Sequence, residues 1–255
     1  LDKINALANK LNNEGMHVIG VAAKKRSADA QTSFHAEDEN NMTFLGIIAF
    51  LDPPKSDAKE AIQGLYSAGV QVKVISGDAP VVVEHVCRLV GIKAGSQNAV
   101  TGSELDKMSD EKLSSAVEKN DIFARLSPMQ KKRVVDALRK NGHVVGYMGD
   151  GVNDAPSLHD ADVGISVNNA TDVARASADI ILLEKNLTVI LNGIYEGRRI
   201  YGNILKYMKM ALSGNFGNVF SVLIGSIFLP FLPILPLQIL IQNLIYDFTQ
   251  IAIPW

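Results

Sequence analysis

The chain has 255 residues and a formal net charge of −2, a length that allows one large domain or a domain with a membrane segment and a balance that excludes nucleic-acid binding by bulk charge. Its one cysteine, Cys87, excludes an internal disulfide framework, fits a reducing compartment, and reads as a small buried apolar residue. The average hides two halves: between Met210 and Trp255 the only charged residue is Asp247, whereas the sequence before Met210 is mixed and charge-rich.

In chain order, Leu1 to Asn13 reads as a helix with Ile4, Leu7, Ala8 and Leu11 on one face. His17 to Ala23 reads as a strand, Ser27 to Asn41 as a polar loop, and Phe44 to Phe50 as a second strand. Ser56 is placed to cap a helix running to Ala68, which Gly69 stops. Val70 to Ile75 then reads as a strand, Pro80 to Val90 as a helix ended by Gly91, and Asp121 to Ala124 as a short strand. Pro128 to Lys140 is a helix with proline at its start and Asn141-Gly142 at its end. His143 to Met148, Val163 to Val167 and Ile180 to Leu183 complete the strands. Alternation of β and α with runs of Val and Ile argues for an α/β fold, a Rossmann-like parallel sheet with helices on both faces. Glu184 to Lys209 reads as one long helix continuing into the apolar half, and Pro230, Pro233 and Pro236 mark a tight turn before a second apolar segment. Two membrane helices, about 204–230 and 236–255, form a transmembrane hairpin on this reading. The cluster Arg198, Arg199, Lys206 and Lys209 puts the soluble part in the cytoplasm. The chain opens without Met or a signal peptide and reads as an internal piece of a longer polypeptide.

Several runs carry chemistry. The run Gly149-Asp150-Gly151-Val152-Asn153-Asp154-Ala155-Pro156-Ser157-Leu158 puts two carboxylates and an amide on a tight loop after a buried strand. In open α/β sheets that edge binds ligands, and such carboxylates suit Mg²⁺ beside a phosphate. An Asp/Asn-Gly turn wants the same residue types, but not this length of specific sequence. Ser76-Gly77-Asp78, after another strand, offers a hydroxyl and a glycine amide to a phosphoryl oxygen, or is a plain turn. Lys131, in Arg125-Leu126-Ser127-Pro128-Met129-Gln130-Lys131, sits in the first turn of a helix, where it reaches a phosphate or remains a surface lysine. Asp52-Pro53-Pro54-Lys55 is a rigid turn. In the apolar half, Asn215 and Asn218 share one helix face and Asn243 and Asp247 another. An intramembrane carboxylate marks an ion path by default, while each Asn alone is more commonly an interhelical hydrogen-bonding group.

Taken together these runs resemble P-type ion-pumping ATPases, whose catalytic domain is of the haloacid-dehalogenase-like superfamily, and most of all their bacterial magnesium-transporting class. The likeness covers the whole chain. It extends to Ser213-Gly214-Asn215-Phe216-Gly217-Asn218-Val219-Phe220-Ser221, Phe228-Leu229-Pro230-Phe231-Leu232-Pro233 and Leu240-Ile241-Gln242-Asn243-Leu244-Ile245-Tyr246-Asp247. The resemblance implies that Asp150 and Asp154 hold a catalytic Mg²⁺ and that Asn153 steadies the metal and phosphate. It assigns Ser76, Gly77, Asp78 and Lys131 to the phosphoryl group. Ser76 stands where the family's motif has Thr. Asp52, Lys55 and Arg125 fall in nucleotide-side segments, Lys55 replacing the family's Arg and losing its planar fork of donors. Asn215, Asn218, Asn243 and Asp247 fall at the family's ion-liganding positions, with neutral Asn218 where calcium pumps carry Glu. One carboxylate among amides suits a partly hydrated Mg²⁺, which dehydrates reluctantly.

The family's phosphorylated aspartate lies in an Asp-Lys-Thr-Gly-Thr motif that this chain lacks; Asp2-Lys3 is followed by Ile4. The expectation is therefore a fragment, inactive alone, of an ATP-using pump that imports Mg²⁺ through an aspartyl-phosphate. Residues 1–50 would end the nucleotide-binding domain, 51–200 form the phosphorylation domain without its nucleophile, and 201–255 form the stalk and two spans. Its partners would be membrane lipid, the cation, and the rest of the pump: the actuator domain, the remaining nucleotide-binding domain and the other transmembrane helices. Its place would be the inner (plasma) membrane, multi-pass. The rivals are a pump for Ca²⁺ or Mn²⁺, a membrane-anchored phosphatase of the same superfamily, and a non-catalytic regulatory fragment.

Overall fold

The structure is a computed structural model that describes residues 2–25, 35, 39–50, 53–92, 99–184 and 186–251. The chain divides into two compact units, Leu1–Val189 and Ile190–Trp255. The first begins with helix α1 (Asp2–Asn13) and the antiparallel pair β1 (His17–Ala23) and β2 (Thr43–Phe50). These strands run in register from His17 opposite Phe50 to Ala23 opposite Thr43, with one irregularity at Val21/Ala22.

The α/β body follows as α2 (Ala58–Ser67), β3 (Val74–Ile75), α3 (Pro80–Val90), β4 (Val100–Thr101), α4 (Gly102–Leu105), α5 (Asp110–Lys119), β5 (Ile122–Ala124) and α6 (Pro128–Lys140). It continues as β6 (Gly146–Met148), a 3₁₀ turn (Val152–Asp154), α7 (Ala155–Asp160), β7 (Val163–Val167), α8 (Asp172–Ala176) and β8 (Ile180–Leu182). All strands of this body pair in parallel, as the α/β alternation predicts. Among the described residues they fall into two three-stranded sheets, β3-β5-β4 and β6-β7-β8, rather than one continuous ladder.

Local chemistry sets the boundaries. Helix α6 starts on a capping box in which the Gln130 side-chain oxygen accepts from the Ser127 N–H at 2.8 Å, with Pro128 in the first turn. Helix α3 ends at Gly91, whose φ of 82° is left-handed, and the next N–H, of Ile92, closes on the Cys87 carbonyl. The cap of α2 is Asp57 rather than Ser56, and the Asp57 carboxylate accepts from the Leu187 N–H instead of from its own helix. The strand expected over Val70 to Ile75 shortens to its last two residues, because β5 offers partners only from Ile122. Helices α4, α5, α7 and α8 and strand β4 were not expected.

Three apolar clusters hold this body. The first contains Ala58, Ile62, Val83, Cys87 and Ile122. The second is built on Leu105, Leu113, Val117, Phe123, Val134 and Leu138, and the third on Val135, Tyr147, Leu158 and Ala174. Each fully buried Leu, Val or Phe contributes about 1.5–3 kcal/mol relative to exposure. Cys87 is 1% exposed, and burial pushes its thiol up to about 11, which suits an inert core residue.

In the second unit the dominant element is α9 (Thr188–Phe228), one unbroken helix of 41 residues. Asn186 starts it, its side-chain oxygen accepting from the Thr188 N–H at 2.8 Å and hydroxyl at 2.6 Å. The helix begins four residues after Glu184, and it is long and apolar enough to cross a membrane. Helix α10 (Pro236–Gln250) has 15 residues. Its length of about 22 Å is short of the ~30 Å hydrocarbon core, so the second span expected over 236–255 is only partly matched, residues 252–255 lying outside the described ones. Gly214 faces the Tyr246 ring and Gly225 faces Pro233, so two glycines let α10 and its turn approach α9.

The close crossing of α7 over β7 generates a prediction. A Cβ on Gly164 would sit 2.4 Å from the Leu158 carbonyl oxygen, whereas one on Gly146 meets nothing nearer than 3.9 Å. Gly164→Ala is expected to destabilise the chain by roughly 1–3 kcal/mol and Gly146→Ala to leave it nearly unchanged, read by urea unfolding in detergent.

Candidate functional site

The carboxyl ends of β3 and β5 are stitched together by backbone hydrogen bonds. Ser76 N–H donates to the Phe123 carbonyl at 2.9 Å, Leu126 N–H to the Ser76 carbonyl at 3.0 Å, and Arg125 N–H to the Asp78 carbonyl at 2.9 Å. These bonds hold Arg125 in the left-handed region, with φ at 54°, a conformation that costs a non-glycine residue roughly 1–2 kcal/mol. Its side chain is exposed beside the loop Ser76-Gly77-Asp78. The Ser76 hydroxyl donates to Asp78 Oδ2 at 2.9 Å and accepts from the Asp78 N–H at 3.0 Å. In this arrangement the proton that a phosphoryl oxygen would receive is turned to Asp78.

A second group forms where α6 meets the loop after β6. Lys131 Nζ lies 2.8 Å from Asp154 Oδ1, with the two side chains only 11% and 14% exposed. Tyr147 OH donates to the same oxygen at 2.8 Å, and the Gly151 N–H donates to Asp154 Oδ2 at 3.2 Å. Gly149 is needed here, because a Cβ on it would sit 2.5 Å from the Asp154 Cβ. Burial pushes the Asp154 carboxyl up, but the bonds from Lys131 and Tyr147, the Lys131 charge and the Gly151 N–H outweigh it, leaving the group below the ordinary carboxylate range. Burial, then the Asp154 charge, pushes the Tyr147 hydroxyl up, so it stays protonated and donates. An ammonium carries three donors, so Lys131 can keep Asp154 and still offer N–H groups to a phosphate.

Asp150 and Asn153 are exposed on the same loop, and the Asp150 carbonyl accepts from the Thr171 N–H at 3.0 Å, which ties the loop to the start of α8. The exposed Asp150 carboxylate and Asn153 amide are hard oxygen donors of the kind that suits Mg²⁺, whereas the Asp154 oxygens are already engaged by Lys131, Tyr147 and Gly151. Among the described residues no group of three or more His, Cys, Asp or Glu is gathered for a metal ion. Ile75, the residue before Ser76, and Val145, which precedes β6, pack on the same two apolar clusters. The end of β3 and the residue before β6 thus share the same apolar packing. Lys55 is exposed, and Asp52 lies outside the described residues. Tyr147 was missed as a site residue, although a tyrosine in an apolar run signals a hydroxyl that needs a buried partner.

In the second unit, Asn218 Nδ2 donates to Asn243 Oδ1 at 3.4 Å, and Gln242 Nε2 donates to Asn218 Oδ1 at 2.9 Å. Asn218 and Asn243 therefore meet, and Gln242 joins them. Asn215 and Asp247 are exposed on their helices.

A profile described as haloacid dehalogenase-like hydrolase matches residues 8–162. Over all 255 residues the chain is 50% identical to the "Magnesium-transporting ATPase, P-type 1" of Escherichia coli strain K12, of which it covers 28%. It is 51% identical over 245 residues, 96% of this chain, to the protein of the same description in Salmonella typhimurium strain LT2, of which it covers 27%. It is 34% identical over 243 residues, 95% of this chain, to the "Calcium-transporting ATPase" of Bacillus subtilis strain 168, again covering 27%. The chain thus spans less than a third of the length of these relatives.

The Lys131–Asp154 pair makes a stability prediction. Asp154→Ala strands a buried ammonium and a buried hydroxyl and is expected to cost about 3–5 kcal/mol in urea unfolding of the chain in detergent. Because the native carboxyl lies below its unfolded value, the contribution is complete above about pH 4 and is lost as pH falls through the lower native value. In Asp154→Ala that acid-side loss should be smaller.

Proposed function

The chain belongs to the haloacid dehalogenase-like hydrolase family, and from that premise we propose that it is the carboxyl part of the catalytic domain and the first following membrane helices of a P-type ATPase that carries Mg²⁺. The observation that carries the reading is the buried Lys131–Asp154 pair beside exposed Asp150, at the strand ends of a parallel α/β body. Phosphoryl transfer asks mainly for positioned positive charge and a metal around a developing trianionic group. Lys131 offers donors that remain after Asp154 is satisfied. Ser76 and the Gly77 N–H face a phosphoryl oxygen once the hydroxyl turns from Asp78. Asp150, with Asn153, holds Mg²⁺, which when bound neutralises phosphate charge. Arg125 and Lys55 are exposed, and we assign them to the ATP side.

The nucleophile comes from outside this chain. Strands β3 and β6 each leave one edge without a strand partner among the described residues, and Ile75 and Val145 beside those edges share two apolar clusters. Two open edges on a shared apolar packing suit one more parallel strand between them, whose carboxyl end would bring an aspartate between Ser76 and Asp150. The fragment by itself is then unable to hydrolyse ATP. Exposed apolar residues along α9, among them Phe216, Phe220, Leu223 and Ile227, support a lipid surround, and the basic cluster before them supports a cytoplasmic catalytic part of an inner-membrane, multi-pass protein. Mg²⁺ is favoured over Ca²⁺ as cargo by 50% against 34% identity to the two kinds of relative and by the amide character of Asn218, Asn243 and Gln242.

Membrane vesicles bearing the longer polypeptide are expected to take up Mg²⁺ on addition of ATP. Lys131→Ala and Asp150→Asn should each lower that uptake by about 10²-fold or more. ATP-driven uptake of Ca²⁺ without Mg²⁺ would replace the cargo, and uptake unaltered in both variants would remove the site.

A further inference from the structure

Asn218 on α9 is held between two amides of α10. Its Nδ2 donates to Asn243 Oδ1 at 3.4 Å, and its Oδ1 accepts from Gln242 Nε2 at 2.9 Å. The short bond is the one made by Gln242. Asn218 Oδ1 is also the atom that a cation, or a water of its hydration shell, needs as an acceptor. In this arrangement that acceptor is engaged by a donor from the neighbouring helix. An amide oxygen has two lone pairs, so Asn218 Oδ1 keeps one for a cation or its water while Gln242 holds the other, and turning Gln242 Nε2 away frees the second.

An amide is suited to this exchange because it carries a donor and an acceptor on one terminal rotor. Half a turn about the last side-chain bond replaces the NH₂ group by Oε1 in the same space. A carboxylate could accept but not donate, and an apolar residue could do neither. Gln242 also reaches one methylene further than Asn243, which suits contact with a bound water rather than with the ion. Mg²⁺ keeps several of its waters, whereas Ca²⁺ exchanges them for six to eight direct oxygens. An acceptor placed for a hydration water therefore favours Mg²⁺.

We propose that Gln242 is a specificity-determining residue of the cation path: it donates to Asn218 when no cation is present and turns Oε1 toward a water of the hydrated Mg²⁺ when one is. This rests on the reading above that the cation passes along the amide face of α9 and α10. The competing role is an interhelical tie, which membrane helices use widely and which would not distinguish one cation from another.

The test is ATP-driven uptake by vesicles carrying the full-length polypeptide, with Mg²⁺ as substrate and Ca²⁺ as competitor. Gln242→Leu is expected to raise the half-saturating Mg²⁺ concentration about tenfold, the loss of roughly one hydrogen-bonding partner, while Ca²⁺ competes at its wild-type concentration. Gln242→Glu, which keeps the acceptor, loses the competing donor and adds a negative charge, should saturate with Mg²⁺ at or below the wild-type concentration. Gln242→Met serves the same measurement if the Leu variant does not reach the membrane. Wild-type Mg²⁺ saturation in the Leu and Met variants, or an equal weakening for both cations, overturns the proposal and leaves the pump reading standing. Absence of any ATP-driven cation uptake by the wild type overturns the pump reading and this proposal with it.

Discussion

The ion pair between Lys131 and Asp154 is the constraint on which the rest of the catalytic body depends. Two charges at 11% and 14% exposure are tolerable only if both are satisfied, and one short segment, the end of β6 and its loop, is arranged around the carboxylate. Tyr147 brings its hydroxyl from β6, Gly151 brings a backbone N–H, and Gly149 leaves room for the Asp154 side chain by having none of its own. The pair binds α6 to the loop after β6. Val134 and Leu138 on the same helix fill the second apolar cluster and Val135 fills the third, so α6 joins both parallel sheets. Packing and charge pairing thus converge on one helix, and its first turn carries the lysine proposed for the chemistry.

The same pair explains how the site can be built before a substrate arrives. A lysine free in solvent would be flexible and hydrated, and ordering it at the moment of reaction would cost side-chain entropy. Held by Asp154, it is already in place, and its remaining donors are the ones a phosphate would meet. Arg125 shows the complementary device. Its left-handed backbone is held by bonds to the loop after β3, so the two loops at that sheet edge are tied together. In the membrane unit the corresponding device is milder, a row of amides in which Gln242 and Asn243 on one helix hold Asn218 on the other.

How much of this could be read in the sequence depended on whether the signal was local. Pro80 with Gly91, and Ser127 with Pro128, bracket helices through chemistry contained in a few residues, and both helices appear where those residues put them. The region from Val100 to Lys119 gave no such signal. Helix α5 is capped by Ser109, but only Leu113 and Val117 of it are buried, too few to mark an apolar face. Strand β3 was over-extended because hydrophobic pattern cannot show where a partner strand begins. The site followed the same division. The acidic loop and Lys131 were legible as residue types in place, whereas Tyr147 and Gln242 act through partners 7 and 24 residues away, which no spacing rule announces. Asp57 was passed over as a cap for the same reason, since its carboxylate is taken by a backbone group 130 residues on.

The central claim is that these strand ends complete a phosphoryl-transfer site whose nucleophile lies elsewhere in a longer polypeptide. The direct measurement is transfer of label from γ-labelled ATP in native membranes, resolved on an acidic gel and detected alongside an antibody to this segment. The account predicts a hydroxylamine-sensitive label on an antibody-reactive band well above 27.6 kDa. An unlabelled band near 27.6 kDa as the sole antibody-reactive species would contradict it and make the segment a non-catalytic protein in its own right.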